Sequence, residues 1–180
     1  MIFNPRAREL YIFAGQRYKD YLADFYSYNI DDETVTEISR DYNKSGGPDA
    51  GFTQRATIDI ELGEIYVMNG LIKEKNQNEE SVKNAFWAYN ISRDSCTKVY
   101  HNENTGSEYW NRMVDSEPCP RFAHQMAYDD IRKTQYLHGG NPGEKSDLKT
   151  RLDDFWELKL KKIDSRDVLR KARFLVKKQK

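Results

Sequence analysis

One phrase occurs three times in this chain: "YLADFYSYNI" from Tyr21, "VKNAFWAYNI" from Val82 and "RLDDFWELKL" from Arg151. A repeat constrains the fold more tightly than composition does, because each copy must form the same small unit and bury the same face. Aligned on Phe25, Phe86 and Phe155, the copies alternate. Tyr26, Tyr28 and Ile30 match Trp87, Tyr89 and Ile91, and both sets match Trp156, Leu158 and Leu160. The residues between them are mostly small or polar. A period of two with aromatic and β-branched residues predicts a strand.

The match extends both ways. Downstream, Asp31-Asp32 and Ser92-Arg93-Asp94 are turn residues, each followed by a short strand carrying Val35 or Cys96. Upstream, Tyr11, Tyr66 and Tyr136 each stand four residues before a glycine, Gly15, Gly70 or Gly140. Eight residues before each Tyr stands Phe3, Ile58 or Tyr128, and the next residue, Asn4, Asp59 or Asp129, opens a turn. Met1–Phe3, Gln54–Asp59 and His124–Asp129 are therefore expected as first strands.

Each unit reads as four short antiparallel strands in meander order, over roughly 1–40, 50–100 and 118–163, with Phe-to-Phe spacings of 61 and 69 residues. That is the pattern of β-propeller blades, so the predicted class is all-β, a partial propeller of about three blades. The glycines are expected to end the second strand, where positive φ and close backbone approach are needed.

Charge and hydropathy remove several function classes. Lys+Arg and Asp+Glu both number 29 in 180 residues, so no net field draws nucleic acid or an anionic membrane. No apolar run approaches the roughly 18 residues of a membrane helix. "MIFNPRAREL" lacks the apolar core of a signal peptide. Cys96 and Cys119 form no disulfide framework and suit a reducing compartment, the cytoplasm or nucleus.

Chemistry-bearing groups are sparse. His101, His124 and His138 do not stand at metal-ligand spacing, and neither Cys has a C-x-x-C partner. His124 is read as a hydrogen-bonding histidine of the core, and His101 as part of a variable loop. Cys96 is read as packing, and Cys119 as part of a proline-flanked turn. Asp31-Asp32 and Asp153-Asp154 read as solvated charges. "GGNPG" lacks the Lys-Ser/Thr of a phosphate loop. The expectation is a non-enzyme without cofactor or metal. The planar fork of Arg121 is expected to tie neighbouring blades.

Two connections and the C-terminal segment are the candidate partner surfaces. Leu71 to Asn84 is charged and reads as a loop. The segment from His101 to Pro118 carries Tyr109, Trp110 and Met113 in a polar setting. From Asp164 to Lys180, Val168, Leu169, Ala172, Leu175 and Val176 recur at helical spacing among basic residues that include Arg170 and Lys171. This predicts a short basic amphipathic helix docked on a neighbouring domain.

The units resemble kelch repeats. Pro120, Arg121 and His124 match the kelch first-strand motif, Gly139-Gly140 matches its diglycine, and Phe155-Trp156 its aromatic strand. "GFTQRATIDIEL" (Gly51–Leu62), "EPCPRFAHQM" (Glu117–Met126), "GGNPG" (Gly139–Gly143) and "RLDDFW" (Arg151–Trp156) resemble more specifically the C-terminal kelch repeats of the muskelin family. That resemblance implies an intracellular scaffold or recruitment subunit of the CTLH-type E3 ubiquitin ligase complex. Its partners would be other ligase subunits, substrates or further copies of itself. An actin-associated kelch protein, an enzyme built on a propeller and a non-functional truncated copy are the alternatives. Three blades do not close the six-bladed ring that the family builds. The chain is therefore expected to be part of a longer protein or a decayed copy, and alone to self-associate or dissolve poorly.

Overall fold

The computed structural model describes residues 1–68, 70–73, 80–82, 84–102, 118–142 and 151–160. These form β-strands, turns and loops, with all strand pairs antiparallel. The first unit pairs β1 (Ile2–Asn4), β2 (Glu9–Arg17), β3 (Asp20–Asn29) and β4 (Thr34–Ser39) in chain order. The second pairs β6 (Arg55–Asp59), β7 (Glu64–Met68), β10 (Asn84–Asn90) and β11 (Ser95–Asn102) in the same order. The third pairs β12 (Gln125–Asp129), β13 (Thr134–Gly140) and β14 (Leu152–Lys159). Its expected fourth strand, like the expected helix from Asp164, lies outside the described residues.

One turn design closes five of the hairpins. Asn4, Asn29, Asp59, Asn90 and Asp129 each end a strand, and their Oδ1 atoms accept hydrogen bonds from one or two backbone N–H groups two or three residues on. Four residues after each stands a left-handed residue: Arg8, Glu33, Gly63, Asp94 or Lys133, with φ between 46° and 62°. The Asx side chain satisfies the turn's orphan donors, and the left-handed residue returns the chain in register.

Three sheets stack face to face, the second between the other two. Its inner strands β7 and β10 consequently carry apolar residues on both faces. Ile65, Val67, Trp87 and Tyr89 pack with Tyr11 and Phe25 of the first unit, and Tyr66, Met68 and Phe86 pack with Leu137 of the third. Strand β6 lies beside both β1 and β12, so equivalent first strands are spatial neighbours.

Several expectations need correction. Gly15 does not end its strand. The β2–β3 pairing is interrupted between Phe13 and Gly15, then resumes as far as Arg17 and Asp20. Leu71 to Asn84 is not a plain loop: β8 (Leu71–Lys73) and β9 (Glu80–Val82) form a hairpin that pairs with β5 (Gly51–Phe52) in a separate sheet. His101 belongs to β11, paired with Ala85, rather than to a loop.

Candidate interaction faces and the buried arginine site

Each sheet has a leading face toward the next unit and a trailing face toward the previous one. Phe25, Phe86 and Phe155 stand on leading faces; Tyr26, Trp87 and Trp156 stand on trailing faces. Exposure follows from whether a neighbour is present. Phe25 and Phe86, each facing a following unit, are 2% and 4% exposed, whereas Phe155 is 66% exposed. On the trailing side, Val67 and Leu137 are buried, and their equivalent Ile12 is 39% exposed. Cys96 is half-buried against the first unit, but its equivalent Val35 is exposed. The sequence pattern marks these positions alike and cannot tell which are covered.

The contacts between units are partly aromatic and partly polar. Phe25 meets Tyr89 edge to face at 4.9 Å between ring centres. Between the second and third units, the Thr57 hydroxyl donates to Gln135 Oε1 at 2.6 Å. The Tyr128 hydroxyl donates to Asp59 Oδ2 at 2.6 Å, and Lys133 Nζ reaches both Asp59 and Glu61. Asp59 is fully buried. Burial acts to raise its pKa, but the bonds from Tyr128, the Leu62 N–H and Lys133 outweigh burial and hold the carboxyl below its ordinary value.

Arg121 organises the start of the third unit. Its side chain is 1% exposed, and every donor bond it makes among the described residues stays within that unit. Nε donates to the Cys119 carbonyl, NH1 to the Gly139 carbonyl, and the two terminal nitrogens to the two oxygens of Asp154 at 2.5 and 2.7 Å. The expectation that Arg121 ties neighbouring blades is therefore corrected: it ties the first-strand segment to the diglycine and to β14 of its own unit. Asp154 is not a solvated charge either. It also accepts from Trp156 Nε1 at 2.6 Å. Burial pushes its pKa upward, but the Arg121 fork and the indole N–H prevail and leave it lowered. Asp153 is exposed.

His124 is fully buried as expected, but neither ring nitrogen has a hydrogen-bond partner among the described residues. Burial, with Arg55 and Arg121 nearby, lowers its pKa to about 3, so the ring is neutral at physiological pH. Gly140 explains the crowding. At φ 115°, a Cβ on it would stand 3.0 Å from the Phe122 carbonyl and 3.1 Å from His124 Cβ. Gly139 is left-handed at φ 59°, and its counterpart Ala14 adopts φ 53° without being glycine. Gly70 stands buried between β7 and β8.

Cys119 is buried in its turn, and burial raises the pKa of its thiol, as it does for Cys96. Neither is poised as a nucleophile. His138 is exposed, with Nδ1 3.0 Å from the Asp154 carbonyl. Among the described residues no three His, Cys, Asp or Glu side chains are grouped to hold a metal ion, and no helix is long and apolar enough to cross a membrane. Tyr109, Trp110, Met113, Arg170 and Lys171 lie outside the described residues.

No family model matches the chain. Over 160 residues the chain is 29% identical to Mei4-dependent protein 6 of Schizosaccharomyces pombe, a match covering 88% of this chain and 21% of that protein. The chain thus spans about a fifth of that protein's length.

Proposed function

We propose that this chain is a protein-interaction module: consecutive blades of a kelch-type β-propeller that bind other proteins and carry out no chemistry themselves. The observation that supports this reading is the stacking of three equivalent antiparallel sheets with β1, β6 and β12 side by side. In a propeller the first strands of successive blades gather around the axis in this way. The buried polar groups fit the same reading. Arg121, Asp154 and Asp59 spend their bonding capacity on strand ends and sheet contacts.

The phrases shared with the muskelin family carry the finer proposal. On that reading the chain serves inside the cell as part of a scaffold subunit of a CTLH-type ubiquitin ligase, and ubiquitin transfer belongs to other subunits. The test is a pull-down with the chain as bait against recombinant CTLH subunits, run beside co-sedimentation with filamentous actin. Capture of a CTLH subunit with no actin binding is expected. Actin co-sedimentation with no ligase subunit retained would replace the ligase reading with a cytoskeletal one.

A further inference from the structure

Strand β4 is the outermost strand of the first unit, and among the described residues it is hydrogen-bonded to β3 alone. In an antiparallel pair a strand spends only every second residue's N–H and C=O on its neighbour. The alternate residues of β4 therefore present theirs outward. We propose that this edge is a docking site for an extended basic segment of a partner protein, which adds to the sheet as a further strand. The inference rests on the interaction-module reading above and gives it a surface and a partner chemistry.

The edge is accessible with the second sheet already in place. Thr34 and Thr36 stand opposite Asn29 and Ser27, on the leading side that the second sheet faces, and both are exposed. Neighbouring sheets stack on the faces of the first sheet and gather along β1, whereas β4 lies at the opposite end of the strand order. The register with β3 is regular from Thr34 to Glu37 and shifts only beyond it, so this stretch offers a flat edge. Thr34, Val35 and Thr36 are consecutive β-branched residues, which suit a strand. They include neither proline nor lysine, two devices by which native edges turn added strands away. The equivalent strand β11 carries Lys98, opposite Trp87, where β4 carries Glu37, opposite Tyr26.

Charge selects the partner. The turn before β4 carries Asp31, Asp32 and Glu33, and Glu37 follows on the strand. Arg8 takes Asp31 at 2.6 Å, and Arg40 takes Glu37 at 2.8 Å. Asp32 and Glu33 are exposed and form no ion pair among the described residues. Lysines or arginines of an incoming strand find these two carboxylates beside the start of the edge. The same charges repel the β4 of a second copy, because like charges on paired strands are unfavourable. The equivalent turn of the second unit offers no such pair: it carries Ser92, Arg93 and Asp94, and Asp94 already accepts from Tyr89.

A short fluorescent peptide of alternating lysine and valine tests the site, by anisotropy titration of the chain and by amide exchange. The variant is Asp32→Arg with Glu33→Lys. Both changes copy residues that equivalent turns already hold, Arg93 and the left-handed Lys133, so the variant is expected to fold, as checked by far-ultraviolet circular dichroism. The wild-type chain is expected to bind the peptide, less tightly as salt rises, and to gain exchange protection along Thr34–Glu37. The variant should bind at least tenfold more weakly. A peptide of alternating glutamate and valine should not bind. N-methylation of the peptide amides along one edge should abolish binding, and along the other edge should leave it.

Peptide binding that ignores methylation on either edge overturns strand addition. Equal binding by the variant, or protection that appears on another strand instead of β4, overturns the site. Absence of peptide binding also overturns it, while capture of a partner in the pull-down above would leave the interaction-module reading standing. A chain that captures nothing in that pull-down yet binds the peptide along β4 fails the ligase reading and keeps the edge.

Discussion

Arg121 and Asp154 meet through two parallel hydrogen bonds across 33 residues of chain, in a place where the guanidinium has almost no access to water. Bidentate geometry is the strongest form of this pair, and the Cys119 and Gly139 carbonyls take up further donors. Removing the carboxylate strands a buried cation. Asp154→Ala is therefore expected to destabilise the chain by about 3 kcal/mol. Replacing both partners, as in Arg121→Met with Asp154→Leu, should cost less than the sum of the single changes. Urea denaturation of the four species measures the difference.

His124 gives stability a pH dependence with a definite sign. The unfolded chain binds a proton on this ring below its ordinary value of 6.5, and the folded chain does so only near 3. Between those values the unfolded state holds more protons. Stability is thus complete above pH 6.5 and falls on acidification by about 1.4 kcal/mol per pH unit. His124→Leu should flatten the dependence of the melting temperature between pH 6.5 and 5, a range above most carboxylate titrations. An unchanged slope in the variant would show that the ring is already protonated when folded.

Gly140 and Ala14 are expected to respond in opposite directions. Gly140→Ala places a Cβ against the Phe122 carbonyl and His124 at a φ few side chains adopt, so it should cost about 2 kcal/mol or more. Ala14→Gly removes a Cβ from a left-handed residue, and relief of about 1 kcal/mol is expected, less the entropy glycine adds to the unfolded chain. Thermal melts of the two variants suffice.

Asp59 performs two tasks that a conservative change can separate. Its Oδ1 holds the turn, and Oδ2 accepts from Tyr128 of the next unit. Asp59→Asn keeps a turn acceptor and loses the charge facing Lys133. Asp59→Ala loses both functions. The expected costs are about 1 kcal/mol for Asn and about 3 kcal/mol for Ala, read from chemical denaturation midpoints.

What was legible in the sequence was local. Strand alternation after Phe25, Phe86 and Phe155 and the Asx residues at the turns fixed the meander, because both depend on neighbours within a few positions. The β8–β9 hairpin escaped because its charged residues carry no period-two apolar signal. Arg121's partner escaped because nothing at Arg121 points 33 residues ahead, and Asp153 and Asp154 look alike in sequence although only one is paired. The exposure of Phe155 escaped for a related reason: Phe86 and Phe155 sit in near-identical phrases, and among the described residues only Phe86 faces a following sheet.

The middle sheet, with both faces covered, sets the order in which the molecule comes apart. Either outer sheet can open while the other stays docked, but β7 and β10 reach water only after one flank has been stripped. Amide exchange should therefore be slowest along Ile65 to Met68 and Phe86 to Tyr89. The first and third sheets should exchange through partial openings of lower free energy, so that the chain melts inward from its two flanks.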